Sequence, residues 1–468
     1  MNIDLLHNYI FKKNTNSIQI NINNHLMKLG HFDNKYINQY LEINDKWKKQ
    51  ILDKYITLNI PKHSKNVLYL THINKTLENG GYVERTHNIL KTMNTKRNDI
   101  SNNLKYYYIC IDSIYRTKQH LECLDYLNVI DNVIYINLPN YNNEMSNHAF
   151  NQFTLDLYIY IIDLFGISIL HSTTFYNHSL LSVLLSKHLK IPHIYEIRGR
   201  YDITLYERWG IQSKQNYSNN ENLILDNSNA ILYICPECKD FVELTNVNVK
   251  NILNDILPNC ANIPIRDKQY KQFTLFNDNI DFVISYVGTT YMHENFKLIL
   301  STISKLINNF HNIGFLFAGY PVGMYKSALN NLRNKFPNNV IIERYLPHSD
   351  LINLYYPNID LFIIPRIDNK ISNVITPLKP YDIMANRVPL LMSNLECLTR
   401  ISDNEKNCLL FNVKKDPENN NLYDKIIKIY NDGYPDDIVE NGYNYAVQNS
   451  WNSIVHVLED MNDTLLEK

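Results

Sequence analysis

A chain of 468 residues is longer than a single hydrophobic core usually supports, which points to two core-bearing domains with additions. With 45% hydrophobic and 20% charged residues and a formal net charge of −1, it has an ordinary globular composition, and its charge gives no case for nucleic acid or an anionic membrane as partner. Seven cysteines, odd in number and scattered, fit a reducing compartment better than a disulfide framework.

Residues 1–62 are polar and asparagine-rich, and Ile37, Tyr40, Leu41, Trp47, Ile51, Tyr55 and Ile56 recur at helical rather than strand spacing until Pro61 breaks the pattern. The region reads as a helical extension. Its start lacks the basic stretch and apolar core of a signal peptide, and no apolar run in the chain approaches the ~20 residues that span a bilayer, so a cytoplasmic protein is expected. From Val67 the pattern changes to short apolar strands, predicted over 67–73, 106–111, 133–136, 167–171, 193–197 and 230–234, with helices over 83–93, 152–165 and 179–189. A polar stretch from Leu257 to about Asn279 reads as a linker. Then the alternation restarts, with strands over 282–287, 314–318, 340–343, 359–365, 388–392 and 409–411, and helices over 294–310, 325–334, 349–355, 378–386 and 424–431. Such alternation implies right-handed βαβ units and largely parallel sheets, hence an α/β protein of two doubly wound, Rossmann-like halves. A last helical region carries Trp451.

Several strand ends carry chemistry-bearing residues. After the first strand come Gly80, Gly81, Tyr82 and Arg85; paired glycines let a ligand approach the main chain, and the following helix start favours anions. A Gly-Gly turn alone is more often an ordinary turn than a functional one. It also does not extend to the Gly-x-Gly-x-x-Gly of a dehydrogenase. His171 ends another strand, and Glu196 and Arg198 end the next; their bland reading is an ion pair holding a strand terminus. Cys235 and Cys238 form a lone CxxC without a second pair at metal spacing, and read as buried thiols. In the second half, Gly288 and Thr289 close a strand. Arg366 follows another, ahead of Asn373 and the run Ile375-Thr376-Pro377-Leu378-Lys379-Pro380-Tyr381-Asp382-Ile383-Met384-Ala385. A strand, a loop with a cation and a helix start with a carboxylate suit an anionic, hydroxyl-bearing ligand: Lys379 offers a point charge to phosphate and Asp382 accepts from sugar hydroxyls.

That run resembles the donor-site motif of the retaining glycosyltransferases of the GT-B fold, family four (glycosyl transferases group 1), in its Pro-Leu-Lys-Pro-aromatic form. Gly80-Gly81-Tyr82 with Arg85 and His87, and the segment from His171 to Gly199, are similar to further motifs of that family. Beyond the helical extension read over 1–62, the resemblance implies an acceptor domain over 63–268, a donor domain over 269–440, and a C-terminal helix over 441–468 that crosses back to the first domain. It implies transfer of a sugar from a nucleotide-sugar, with retention and without a metal or other cofactor, to a glycan, lipid or small-molecule acceptor, and it leaves peripheral membrane contact open. Arg198, Glu196 and His171 would be catalytic, Arg198 standing near where many relatives have a histidine. Arg366, Asn373, Thr376, Pro377, Leu378, Lys379, Asp382, Gly288 and Thr289 would bind the donor, and Gly80, Gly81, Tyr82 and Arg85 would face its phosphates and the acceptor.

The sequence also departs from the family. Thr289 and Thr290, followed by His293 and Glu294, stand where many members carry an arginine and then a lysine, which shifts phosphate neutralisation to Lys379 and Arg366. Asp382 replaces a glutamate, and Asn373 matches another glutamate of the subgroup. These departures keep open a second expectation, a glycosyltransferase-like protein without activity that serves as a binding or scaffold module.

Overall fold

The computed structural model describes residues 34–61, 64–77, 80–95, 105–112, 125–139, 147–174, 176–200, 203, 215–264, 275–344, 346–413 and 421–467. Among them two sheets stand in series. The first has the order β3-β4-β2-β1-β5-β6-β7-β8, from β1 (Lys65–Thr71), β2 (Tyr106–Asp112), β3 (Leu127–Ile130), β4 (Val133–Ile136), β5 (Ile167–Thr173), β6 (His193–Ile197), β7 (Ala230–Tyr233) and β8 (Leu253–Ile256). The second runs β11-β10-β9-β12-β13-β14, from β9 (Phe282–Val287), β10 (Ile313–Ala318), β11 (Val340–Glu343), β12 (Leu361–Ile364), β13 (Leu390–Ser393) and β14 (Leu409–Phe411). All described pairings are parallel except β3 with β4.

The predicted strands fall on β1, β2, β4–β7 and β9–β14, with ends displaced by a few residues. Two edge strands went unpredicted. β3 is a four-residue antiparallel ribbon, and β8 reads Leu-Asn-Asp-Ile, half polar because only one neighbour covers it. The helix predicted over 349–355 is a single α-turn, His348–Asp350, continued by a π-turn, Leu351–Tyr355. Helices Gln215–Leu225, Pro236–Thr245, Lys370–Val374 and Glu396–Ser402 also went unpredicted, and the helix predicted over 441–468 divides into Asp436–Gln448, a 3-10 turn Trp451–Ile454 and Val455–Leu466.

Of the predicted helical extension, residues 1–33 lie outside the described part, while Asn34–Tyr55 is a helix. Trp47 and Ile51 on that helix are buried in the same core as Ile109, Ile136 and Tyr158. Trp47 Nε1 donates to the Asn137 carbonyl at 2.8 Å. The domain boundary read at 268/269 falls within 265–274, outside the described residues. At the other end, Trp451, Leu458, Met461 and Leu465 pack into the first sheet's second face with Val67, Tyr69, Tyr108 and Leu232. Asn462 Nδ2 donates to Tyr108 Oη at 2.8 Å and Tyr106 Oη to Asp463 Oδ1 at 2.6 Å. Among the described residues no helix is long and apolar enough to cross a membrane. The six described cysteines, Cys235 and Cys238 included, are buried and form no disulfide.

In each sheet the chain winds outward from a central strand and then resumes on that strand's other side, β1 beside β5 and β9 beside β12. Ligands of doubly wound sheets sit at the carboxyl ends beside such a reversal. The predicted site residues cluster at these two places.

Candidate functional site

At the carboxyl end of β9, Gly288 turns with φ +141°, and a Cβ there would stand 2.9 Å from Lys379 Nζ. Gly319, after β10, has φ +145°, and a Cβ on it would come within 2.2 Å of the Gly288 carbonyl oxygen. Gly319 needs glycine on grounds of conformation and of space, and Gly288 on grounds of conformation, since the end of the Lys379 side chain could move aside. Beside them the loop after β12 brings in Arg366, and the helix Lys379–Ala385 begins with Lys379 and Pro380. Two of the predicted donor cations therefore meet.

What joins them is Glu294, which the sequence reading did not select. Its Oε1 accepts from Arg366 Nη2 at 2.9 Å and Nε at 3.1 Å, and its Oε2 accepts from Lys379 Nζ at 2.8 Å and Tyr286 Oη at 3.0 Å. Burial alone would raise the Glu294 carboxyl, but Lys379, then Arg366, hold it well below the usual carboxylate range. Arg366 Nη1 also donates to the Ile375 carbonyl at 3.1 Å, fixing the loop ahead of Thr376. No signal in the sequence marked this role of Glu294, because its two cations lie 72 and 85 positions further along the chain. Lys379 retains 24% side-chain exposure, so the pair is open to a ligand on one side.

Other predicted donor residues surround this centre or leave it. Thr376 is buried, and its carbonyl accepts from Asn259 Nδ2 of the first half at 2.9 Å. Its neighbour Pro377 is buried, and Leu378 packs against the first sheet's core. The Thr289 carbonyl accepts from Tyr286 Oη at 3.1 Å. Asp382 does not join Arg366 and Lys379 around one point. Its Oδ1 lies 2.9 Å from His348 Nε2, and its Oδ2 accepts from Tyr356 Oη at 2.7 Å. Asn373, expected to bind a sugar hydroxyl, makes hydrogen bonds to its own stretch and to the helix Glu396–Ser402. Its amide donates to Asp368 Oδ1 at 2.7 Å, and its Oδ1 accepts from the Glu396 N–H at 3.1 Å.

In the first half the residues expected to be catalytic lie together and buried. Glu196 is fully buried, and its carboxylate accepts from Arg198 Nε at 2.7 Å, Arg85 Nε at 2.9 Å and Tyr69 Oη. The remaining N–H groups of Arg198 go to Glu196 Oε2, Tyr69 Oη, the Tyr82 carbonyl and Thr86 Oγ1. All five of its donors are spent inside the protein, which leaves none for a substrate. Arg85, expected to face phosphate, instead reaches the Leu257 and Pro258 carbonyls and Asn259 Oδ1, at 2.6, 2.6 and 3.0 Å. His171 is buried with Nε2 3.3 Å from Glu196 Oε2, and burial lowers its pKa despite that carboxylate. These three residues are the inner support of the strand ends rather than groups at an open surface. The reason is hydrogen-bond satisfaction, since a buried carboxylate is tolerated only when its oxygens are supplied with donors, and Arg85, Arg198 and Tyr69 supply them.

Above this cluster the start of the helix Gly81–Asn94 stays open: a Cβ at Gly80 or Gly81 would meet nothing within 4 Å. Tyr82 Oη donates to the Thr174 carbonyl at 2.9 Å, and its ring stacks on the Arg198 guanidinium at 4.5 Å. Among the described residues no cluster of His, Cys, Asp and Glu is placed to hold a metal ion.

Residues 281–432 match the family model described as Glycosyl transferases group 1. No curated protein matches the chain. Among solved structures it is similar to sucrose-phosphate synthase from Thermosynechococcus elongatus, at TM-score 0.66 and 12% identity over 86% of this chain and 99% of that one. It is similar also to Anabaena HepE in complex with UDP and glucose, at TM-score 0.59 and 10% identity over 86% of this chain and 100% of that one. WaaG, described as a glycosyltransferase involved in lipopolysaccharide biosynthesis, aligns at TM-score 0.57 and 11% identity over 84% of this chain and 99% of that one. At such identities the likeness carries the fold: two Rossmann-like halves of the GT-B type.

Proposed function

We propose that the protein is a glycosyltransferase moving a sugar from a nucleotide-sugar donor to a glycan, lipid or small-molecule acceptor. The observation that supports this most is the meeting of Arg366 and Lys379 beside the Gly288 and Gly319 turns, inside the stretch that the family model matches. A departing nucleoside diphosphate develops negative charge, and preorganised donors at that position lower the barrier. Arg366 and Lys379 take this role, Glu294 holds them in place, and the glycine turns let the diphosphate lie against main chain. The loop Thr376-Pro377-Leu378 borders the sugar, and Asp382 takes the ribose hydroxyls. Residues 269–440 form the donor half and 63–268 the acceptor half, with the acceptor entering past Gly80 and Gly81. Retention follows from the family resemblance; two cations in place of a divalent ion make the reaction metal-independent. UDP-glucose, named with one of the HepE structures, is the first donor to try, with UDP, named with the others, as the product-side ligand.

The test is a thermal-shift panel of nucleotide-sugars followed by transfer assays in EDTA, with the product anomer read by NMR. Selective stabilisation by one donor is expected. Lys379→Ala should lower kcat/KM for it about 10²–10³-fold, the loss typical of one charge-stabilising donor. Stabilisation by no nucleotide-sugar overturns the reading. A second reading, a binding protein without turnover, is favoured by one observation: Glu294 already pairs with both cations. Donor binding with neither transfer nor hydrolysis would select it.

A further inference from the structure

Residues 295–342 include Lys297, Lys305, Lys326, Arg333 and Lys335 and no Asp or Glu, in a chain that holds 46 Lys and Arg and 47 Asp and Glu. The stretch supplies the helices Phe296–Asn309 and Tyr325–Lys335. They are the crossovers from β9 to β10 and from β10 to β11, two right-handed steps in one direction, which puts both helices on one face of the second sheet. Their apolar sides, Ile299, Ile303, Leu306, Leu329 and Leu332 among them, share one core. All five cations are exposed, and among the described residues none of them forms an ion pair. Like charges gathered on one face repel, a cost that interspersed carboxylates would relieve. The formal net charge of −1 conceals this face, because the balancing carboxylates lie elsewhere in the sequence.

The loops that lead into these helices expose apolar side chains. Met292, Tyr320, Val322 and Met324 stand there, Tyr320 at 71% and Met324 at 79% exposure, and they are four of the nine exposed large hydrophobic residues among those described. Four gathered on two adjoining loops make a patch, where scattered single residues would need no explanation. The Thr290 N–H donates to the Tyr320 carbonyl at 3.2 Å and the Val322 N–H to Thr290 Oγ1 at 2.7 Å, which fastens the two loops to each other. Water disfavours such a patch, whereas the headgroup boundary of a bilayer, where tyrosine is enriched, accepts it. Cations around it select anionic headgroups. A nucleic acid would engage the cations and leave Met292, Val322 and Met324 in water. We propose that this face of the second half docks on an anionic lipid bilayer, lying on the membrane rather than spanning it. The four apolar side chains enter the headgroup boundary, and Lys297 and Lys326, in the first turns of the two helices, meet lipid phosphates. Lys305, Arg333 and Lys335 stand further along the helices and add to the attraction. Nothing in this depends on the donor-site reading.

The experiment is flotation of the full chain with vesicles of phosphatidylcholine alone, and with vesicles of equal parts phosphatidylcholine and phosphatidylglycerol. Binding to the anionic vesicles is expected, with little to the neutral ones, and it should weaken as salt is raised. Lys297→Gln with Lys326→Gln should lower partitioning to the anionic vesicles about 10- to 30-fold, roughly fivefold for each cation at the surface. Tyr320→Ser with Met324→Ser should lower it as well, and high salt should not erase that difference, because the loss is apolar. All four side chains are exposed, so both variants should keep the urea midpoint of the wild type. Lys46→Gln with Lys49→Gln removes the same charge from exposed positions on the helix Asn34–Tyr55 and should leave binding unchanged. An equal loss in that control would assign binding to overall charge and overturn the proposal. So would a wild type that floats with neither kind of vesicle. Binding of single-stranded RNA that needs Lys297 and Lys326 but not Tyr320 and Met324, without flotation, would make the face a nucleic-acid surface and overturn it too.

Discussion

Of the three buried glutamates among the described residues, Glu196 and Glu294 sit in the same company. Glu196 has Arg85, Arg198, Tyr69 and His171 around it; Glu294 has Arg366, Lys379, Tyr286 and His293. A carboxylate removed from water persists as an anion only where cations and hydrogen bonds repay its desolvation, and burial and pairing act in opposite directions on both groups. The first cluster spends every arginine donor on the protein. The second leaves Lys379 partly exposed, and that difference separates a support from a site. Glu196→Ala leaves two buried guanidinium groups without their counter-ion and should cost about 3–5 kcal/mol in urea denaturation. A cost under about 1 kcal/mol would place the pair among solvated surface ion pairs instead.

At the level of elements, the last helix, Val455–Leu466, belongs to the first sheet although the chain reaches it only after completing the second. Leu458 is fully buried there with Val67, Tyr108 and Leu232. Leu458→Ala removes packing and leaves a cavity, so a loss of about 2–5 kcal/mol is expected. It should appear as a lower urea midpoint at unchanged slope, whereas a shallower slope would signal a partly detached helix. The helix Pro236–Thr245 joins the halves in another way. Cys235 Sγ, at its cap, donates to the Val374 carbonyl at 3.2 Å, and Glu237 accepts from Arg400 Nε at 2.7 Å.

Across the whole molecule, the buried histidines set the response to acid. His193 and His178 are fully buried with pKa values lowered to about 3, and His72 is lowered to about 4, in each case chiefly by burial. Unfolded histidines titrate near 6.5. Between about pH 6.5 and these folded values the unfolded chain binds more protons, so stability rises with pH across that window and falls as acid is added. Urea midpoints measured at pH 7 and pH 5 should show the loss. His193→Gln, which keeps a partner for Ser172 Oγ or Ser228 Oγ, should flatten the dependence. An unchanged slope would mean that carboxylates below that window carry the acid sensitivity.

The alternation of apolar runs with amphipathic stretches was enough to determine two parallel sheets, because strand and helix periods are local properties of the chain. Lys379 and Arg366 were legible as cations at a helix start and a strand end, which are also local features. Partnership was not legible. Arg366 meets Glu294 across 72 positions, and Arg85 meets Glu196 across 111, so no window along the sequence contains both members. Glu196, Arg198 and Asn373 carried residue types fit for catalysis or sugar binding, and only tertiary packing decided that their hydrogen-bonding capacity is consumed within the protein. Asp382 was legible as a carboxylate at a helix start. That His348 and Tyr356 hold it follows from the crossing of the β11–β12 connection over that helix, a contact made by the fold and not by the chain's local order.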